Sequence, residues 1–148
     1  MALADYLSEA RIVVLANAPD KSAAIQRAAS LLAHETELDE ASVLRVLLER
    51  EALATTGVGS GVAMPHGRMN VPEIRAALLI VPGGLAFDAI DGRDVQLVLG
   101  LLAPADQPTQ LLRVLADSSR ALRHAHTRER LIGCSDAGQA MRVLEEIV

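Results

Sequence analysis

The sequence predicts an α/β fold in which a mixed β-sheet of about four or five strands is flanked by helices. Two continuous aliphatic runs, AALLIV at 76–81 and VQLVLGLLA at 95–103, have the pattern of strands that are buried on both faces. Segments with helical periodicity precede and follow these runs. Because such strands must be shielded from water, we expect the helices to cover the sheet.

The first third of the chain is predicted to contain one short strand, at 12–15, and two helices. In 21–34 the apolar residues recur with helical spacing, and Asp20 stands where an N-cap is expected. The stretch 39–53 repeats this spacing and carries charged residues on its other face, so a second helix should end near Leu53.

The next stretch, TTGVGSGVAMPHGR at 55–68, is the least ordinary part of the chain. Three glycines in alternate positions and a proline exclude a helix, and they predict a loop that leads through a short strand at 62–64. After it come the two aliphatic strands, joined by a segment in which the pair Asp91-Gly92 indicates a turn.

The remainder of the chain is predicted to be helical. One helix should follow Pro108 and run over 109–125, a short piece should cover 127–132, and a last helix should run over 135–148 with Ser135 as its N-cap. With 148 residues and no internal repeat, residues 1–148 are expected to form a single domain.

Composition excludes several classes of function. Tyr6 and Phe87 are the only aromatic residues and the net charge is -5, which disfavours binding to nucleic acid or to an anionic membrane surface. The apolar stretches are too short to span a bilayer as helices. The single cysteine, Cys134, fits a reducing compartment, and the N-terminus does not resemble a secretory signal. A cytoplasmic protein is therefore predicted.

His66, within Met64-Pro65-His66-Gly67, is the candidate nucleophile. A neutral imidazole nitrogen can attack a phosphoryl group near neutral pH, and that reaction needs mainly positioning and charge stabilisation from the protein. The same spacing also suits a histidine that only packs or hydrogen-bonds in a loop. The preceding GVGSG matches neither nucleotide-binding glycine pattern, so no cofactor is predicted.

Arg50, at the end of the second helix, is the candidate group for stabilising a phosphoryl group, since a guanidinium binds phosphoryl oxygens through paired, charge-assisted hydrogen bonds. The alternative is a solvated arginine that complements the helix dipole. His34, His124 and His126 lack the spacing and the neighbouring ligands of a metal set, so no metal site is predicted.

The string from Arg50 through TTGVGSGVAMPHGR resembles the active-site signature of EIIA domains of the fructose and mannitol type, from the bacterial phosphotransferase system. The following AFDAIDGRDVQLVLGLLAPADQ strengthens the resemblance, which is greatest to the free-standing nitrogen-related branch and covers nearly the whole chain. It implies a phosphotransferase/anion-transport-like α/β sandwich. It also implies that His66 accepts a phosphoryl group from an HPr-like phosphocarrier, that Arg50 supports this group, and that the chain regulates target proteins.

One departure from that family bears on function. Relatives carry a second histidine at the start of the helix after the PADQ segment, where this chain has Leu111-Leu112, preceded by Gln110. Leucine cannot hydrogen-bond a phosphoryl oxygen, whereas Gln110 would be a neutral donor if the helix start were displaced by one residue. Two hypotheses therefore stand: a phosphocarrier rather than a turnover enzyme, and a binding module that no longer cycles phosphate. A hydrolase lacks support, because the chain has no Ser-His-Asp order or metal motif.

Overall fold

The computed structural model describes residues 2–147 and confirms the α/β fold class: a mixed β-sheet flanked by helices. Two 3₁₀ helices, Leu3–Tyr6 and Glu9–Arg11, precede the first strand. The elements then follow in the order β1 (Ile12–Val14), α1 (Lys21–Ala33), α2 (Glu40–Leu53), β2 (Gly57–Gly59), β3 (Val62–Ala63), β4 (His66–Met69), β5 (Arg75–Leu85), β6 (Val95–Pro104), α3 (Pro108–Arg123), α4 (Ala125–Ile132) and α5 (Ala137–Glu146).

Within residues 2–147 the sheet has six strands, more than the four or five expected. The additional strands come from the glycine-rich stretch, where β2 and β4 are too short and too poor in β-branched residues to show a strand pattern. Ser60 and Gly61 both have positive φ, which suits the tight hairpin between β2 and β3. The carboxylate of Asp91 accepts hydrogen bonds from the backbone N–H groups of Ser60 and Arg93, and these bonds hold the pKa of Asp91 below its ordinary value.

The strand order is β1-β5-β6-β3-β2, and β4 also pairs with β6. The strands β5 and β6 are antiparallel, whereas β3 and β4 both run parallel to β6. Val62 pairs with Leu97 and His66 pairs with Leu101, so the register is the same on both sides of a break at 64–65. The strand β4 therefore continues the line of β3 along one edge of β6.

Helices cover the two faces of the sheet as the aliphatic runs predicted. Alternate residues of β6 face opposite layers, so Leu99 and Leu101 pack with residues of α3, α4 and α5, whereas Val98 and Leu102 pack with residues of α1 and α2. These four leucine and valine side chains are fully buried. Within the described part of the chain, no helix is long and apolar enough to cross a membrane.

The ends of two helices test the predicted caps. Asp20 caps α1 as expected, because its Oδ1 accepts a hydrogen bond from the N–H of Ala23 at 2.7 Å. The prediction of Ser135 as the last cap was wrong: Asp136 caps α5, accepting from the N–H of Gln139 at 2.8 Å. Both residues are good caps, and the carboxylate of Asp136 is the one that reaches the first free N–H groups.

Candidate functional site

A cavity of about 700 Å³ opens at the edge of the sheet, between α2, β4 and α3. It brings together residues that are far apart in the sequence: Arg50 from α2, His66 from β4 and Leu111 from α3. The full lining consists of Val46, Glu49, Arg50, Leu53, His66, Gly67, Arg68, Ala105, Pro108, Leu111 and Leu112. His66, Arg50 and position 111, which the sequence analysis connected with phosphoryl chemistry, therefore contribute to one concave site.

The pairing of β4 with β6 sets the direction of the His66 side chain. His66 lies opposite Leu101 and Gly67 opposite Leu102, and these two leucines belong to different core layers. Side chains alternate along a strand, so His66 and Arg68 share the face covered by α3, whereas position 67 faces α2.

Gly67 allows α2 to approach the strand that carries His66. A Cβ atom at this position would lie 2.1 Å from Cγ1 of Val46, well inside van der Waals contact. Val46 and Arg50 are separated by one helical turn and lie on the same side of α2. The absence of a side chain at position 67 therefore determines how closely Arg50 approaches His66.

One ring nitrogen of His66 has a fixed role. Nδ1 lies 2.8 Å from the carbonyl oxygen of Met64. A carbonyl only accepts hydrogen bonds, so Nδ1 carries the proton of the neutral ring and Nε2 keeps a lone pair. Burial lowers the pKa of His66, the contact with Met64 and the charge of Glu51 oppose this, and the charge of Arg50 adds to the lowering. The ring is thereby kept neutral and nucleophilic.

The buried carboxylate of Glu51 supports the position of the His66 ring through hydrogen bonds to the preceding loop. Glu51 accepts hydrogen bonds from the N–H of Thr56, at 2.7 Å, and from its hydroxyl group, and it forms an ion pair of 3.3 Å with Lys21. The carbonyl of Thr56 accepts a hydrogen bond of 2.9 Å from the N–H of Met64, whose own carbonyl contacts His66. A chain of hydrogen bonds thus links the end of α2 to the imidazole.

Arg50 is half-buried and lies at the end of α2. Its Nη1 donates a hydrogen bond of 2.8 Å to the carbonyl of Ala54, one of the carbonyl groups that the helix leaves unpaired. This bond holds the side chain at the cavity, and within residues 2–147 its other N–H groups have no hydrogen-bond partner. Arg50 combines a helix-capping contact with donors that are available to an anion.

The helix α3 places Leu111 and Leu112, and not Gln110, among the described residues that line the cavity. Leu111 is buried and also packs in the core layer of α3, whereas Leu112 is exposed. The side-chain oxygen of Gln110 is buried without a hydrogen-bond partner in the part of the chain that the structure describes. The wall that α3 forms is therefore apolar.

Two residues of the site were missed by sequence reasoning. Arg68 lines the cavity, and its spacing of two from His66 would have indicated it, had the strand been predicted to continue past His66. Glu51 had no such signal, because nothing local shows that a carboxylate at the end of a helix is buried against Lys21. The other histidines lie elsewhere: His34 contacts Glu35 at 3.4 Å, and none of them lines the cavity within residues 2–147.

The chain and its fold are similar to known proteins. The family model described as phosphoenolpyruvate-dependent sugar phosphotransferase system, EIIA 2, matches residues 5–147. A nitrogen regulatory protein of Bradyrhizobium diazoefficiens is 34% identical over 145 residues, which cover 97% of this chain and 95% of that protein. A phosphotransferase system fructose-specific EIIA component of Haloferax volcanii is 36% identical over 111 residues, covering 74% of this chain and 72% of that protein.

The fold is likewise similar to that of a solved nitrogen regulatory protein. The crystal structure of nitrogen regulatory protein IIA-Ntr from Neisseria meningitidis matches with a TM-score of 0.87 and 33% identity, covering 96% of this chain and 98% of that one. The family resemblance read from the stretch around His66 is thus confirmed by sequence and by fold. Since the family model covers residues 5–147, the chain belongs to the EIIA 2 family of the phosphoenolpyruvate-dependent sugar phosphotransferase system.

Proposed function

We propose that the chain is a regulatory phosphocarrier, which accepts a phosphoryl group on Nε2 of His66 from an HPr-like phosphocarrier protein. The observation that carries this proposal is the contact of Nδ1 with the carbonyl of Met64, since it leaves Nε2 as the nucleophilic nitrogen of a neutral ring beside Arg50. Membership of the EIIA 2 family supports the phosphocarrier role. The similarity to nitrogen regulatory proteins supports a role in controlling target proteins.

The transfer step exchanges one nitrogen–phosphorus bond for another. The Nε2 lone pair attacks the phosphorus atom of a phosphohistidine on the donor, and the electron pair of the breaking bond returns to the donor's ring nitrogen. The ring of His66 then carries a positive charge and retains its Nδ1 proton. The Met64 carbonyl, 2.8 Å from Nδ1, stabilises that charge.

The phosphoryl oxygens carry negative charge throughout the transfer, and this charge must be stabilised by hydrogen-bond donors near the phosphoryl group. Arg50 supplies them, because its Nε and Nη2 donors are not used by the hydrogen bond to Ala54. A half-buried guanidinium attracts phosphoryl oxygens more strongly than an exposed one does, since water screens its charge less. In this proposal Arg50 both binds the product and lowers the barrier to transfer.

The surface around the cavity suits a protein donor. Leu53 and Leu112, on opposite sides of the opening, are 83% and 67% exposed, which is unusual for large apolar side chains. A docking protein would bury both and exclude water from the site of transfer. Phosphorylation would then add negative charge next to this surface and change which target proteins bind there.

A second candidate function is a binding module that no longer cycles phosphate, and the apolar wall formed by Leu111 and Leu112 favours it. Incubation with a phosphorylated HPr-like protein, followed by measurement of the intact mass, separates the two functions. The phosphocarrier gains the mass of one phosphoryl group, which is released in acid and absent from His66→Ala. A chain that gains no mass while the donor remains phosphorylated would favour the binding module.

A further inference from the structure

We propose that Arg68 is a second phosphoryl-binding cation, which acts beside Arg50 in a site whose opposite wall is apolar. This inference rests on the proposed phosphorylation of His66. It assigns to Arg68 a direct contact with the peripheral oxygens of the phosphoryl group on Nε2.

The strand geometry brings Arg68 to the correct side. His66 and Arg68 are paired with Leu101 and Ala103 of β6, two residues that face the same core layer. A separation of two residues along a strand is about 6.6 Å, and the side chains project in the same direction. The long side chain of an arginine spans that distance, and both residues line the same cavity.

The guanidinium of Arg68 is available. Arg68 is exposed, and within residues 2–147 its side chain has no hydrogen bond or ion pair. Arg75 differs, because its guanidinium donates to the carbonyls of Leu32 and His34, each at 3.0 Å. Glu49 is the carboxylate among the residues that line the cavity, and it forms no ion pair with Arg68 or Arg50 in the described structure.

Arg68 matters because one wall of the cavity offers no hydrogen-bond donor from its side chains. The side chains that α3 contributes are those of Pro108, Leu111 and Leu112, none of which is a hydrogen-bond donor. Donors for an anion must therefore come from α2 and β4, where Arg50 and Arg68 are the cations of the lining. Two guanidinium groups on one phosphoryl group would provide the charge that the leucine at position 111 cannot.

The experiment measures phosphorylation of Arg68→Gln with two donors. One donor is a phosphorylated HPr-like protein, and the other is phosphoramidate, a small phosphoryl donor that has no docking surface. We expect Arg68→Gln to slow both reactions by about tenfold, the effect of one exposed charge-assisted hydrogen bond. Arg68→Lys, which keeps the charge, should retain most of the rate. The matched control is Arg45→Gln, an exposed arginine of α2 that lies outside the cavity lining.

Each result has a distinct meaning. Equal rates for the parent chain and Arg68→Gln with both donors would overturn the inference and leave the proposed function intact. A slower reaction with the protein donor alone would also overturn it, because Arg68 would then be a docking residue. If neither donor labels the parent chain, the proposed function fails and this inference fails with it. Thermal unfolding of each variant verifies that folding is unchanged.

Discussion

Gly67 lies directly against Val46: a Cβ atom at position 67 would be 2.1 Å from Cγ1 of that valine. The side chain of Val46 packs on the backbone of Gly67, and this contact joins α2 to the edge strand. The closeness matters because Arg50 follows Val46 by one helical turn and His66 precedes Gly67 by one residue. The spacing between the two candidate functional residues is therefore set by the packing of the Val46 side chain on the backbone of Gly67.

The first prediction is that Gly67→Ala displaces α2. Accommodating the methyl group should cost about 1–3 kcal/mol of unfolding free energy, as overpacked sites do, and should slow phosphorylation of His66 by at least about tenfold. Urea denaturation and quenched-flow phosphorylation measure the two effects. The control is Gly83→Ala, where a Cβ atom meets nothing within 4 Å. A Gly67→Ala variant as stable and as fast as Gly83→Ala would contradict this reading of the contact.

The second prediction concerns the pKa of His66. Burial lowers this pKa, and Arg50 lowers it further, whereas Glu51 raises it. Arg50→Gln should therefore raise the midpoint of the His66 ring titration, measured by NMR, and Glu51→Gln should lower it. Shifts in the same direction, or no shift with either variant, would show that these charges do not act on the ring.

The same lowered pKa predicts how stability depends on pH. Above about pH 6.5 the ring is neutral in both the folded and the unfolded chain, so its protonation does not affect the free energy of unfolding. As the pH falls below this value the unfolded chain binds the proton first, so the contribution of His66 to stability declines until the pH passes the lowered folded pKa. The unfolding free energy of the parent chain minus that of His66→Ala should accordingly decrease as the pH falls from 7 to 5. A constant difference over that range would contradict the prediction.

The third prediction is that Glu51 positions the loop before His66. Glu51→Ala removes the acceptor for both donors of Thr56 and one of the two carboxylates that pair with Lys21, which should cost about 1–3 kcal/mol. We also expect the NMR signal of the Nδ1 proton of His66 to exchange faster with water, because the hydrogen-bond chain through Met64 loosens. Glu145→Ala, at an exposed position of α5, is the control and should change neither quantity. An unchanged Nδ1 proton in Glu51→Ala would mean that the loop holds its shape without the carboxylate.

The fourth prediction is that Leu111→His accelerates phosphorylation of His66 by at least about tenfold, equivalent to about 1.4 kcal/mol. A histidine at this wall of the cavity adds a hydrogen-bond donor facing the phosphoryl group. Because Leu111 is buried in the core layer of α3, some stability should be lost. The gain should be larger in an Arg68→Gln background if both residues bind the same phosphoryl group. Equal rapid-quench rates for the parent and Leu111→His would make the residue at position 111 irrelevant to transfer.

The sequence predicted the parts of the fold that have local signals. The aliphatic runs of β5 and β6, the periodicity of α1 and α2 and the cap at Asp20 are each visible within a few residues. The short strands β2 and β4 are not, since their pairing depends on neighbours distant in the sequence. The N-cap of α5 was also not predictable from local sequence. Ser135 and Asp136 are adjacent and both suit a cap, and only the position at which the helix begins selects Asp136.

The residues of the candidate site likewise fall into those with a local sequence signal and those without one. His66 and Arg50 stand in a recognisable stretch of sequence, and the structure brings them to one cavity. The roles inferred for Gly67, Glu51 and Arg68 depend on tertiary contacts: a helix lying against the strand, a lysine from α1, and an open cavity beside the strand. Such contacts have no local sequence pattern, so only the assembled fold reveals them.

The most direct test of the central claim is to incubate the chain with a phosphorylated HPr-like protein and to identify the modified residue by mass spectrometry. We predict a gain of one phosphoryl group, located on His66, stable in base, released in acid and absent from His66→Ala. A chain that takes up no phosphoryl group from a competent donor, or one that is labelled equally in His66→Ala, would contradict the proposal that His66 is the phosphoryl acceptor.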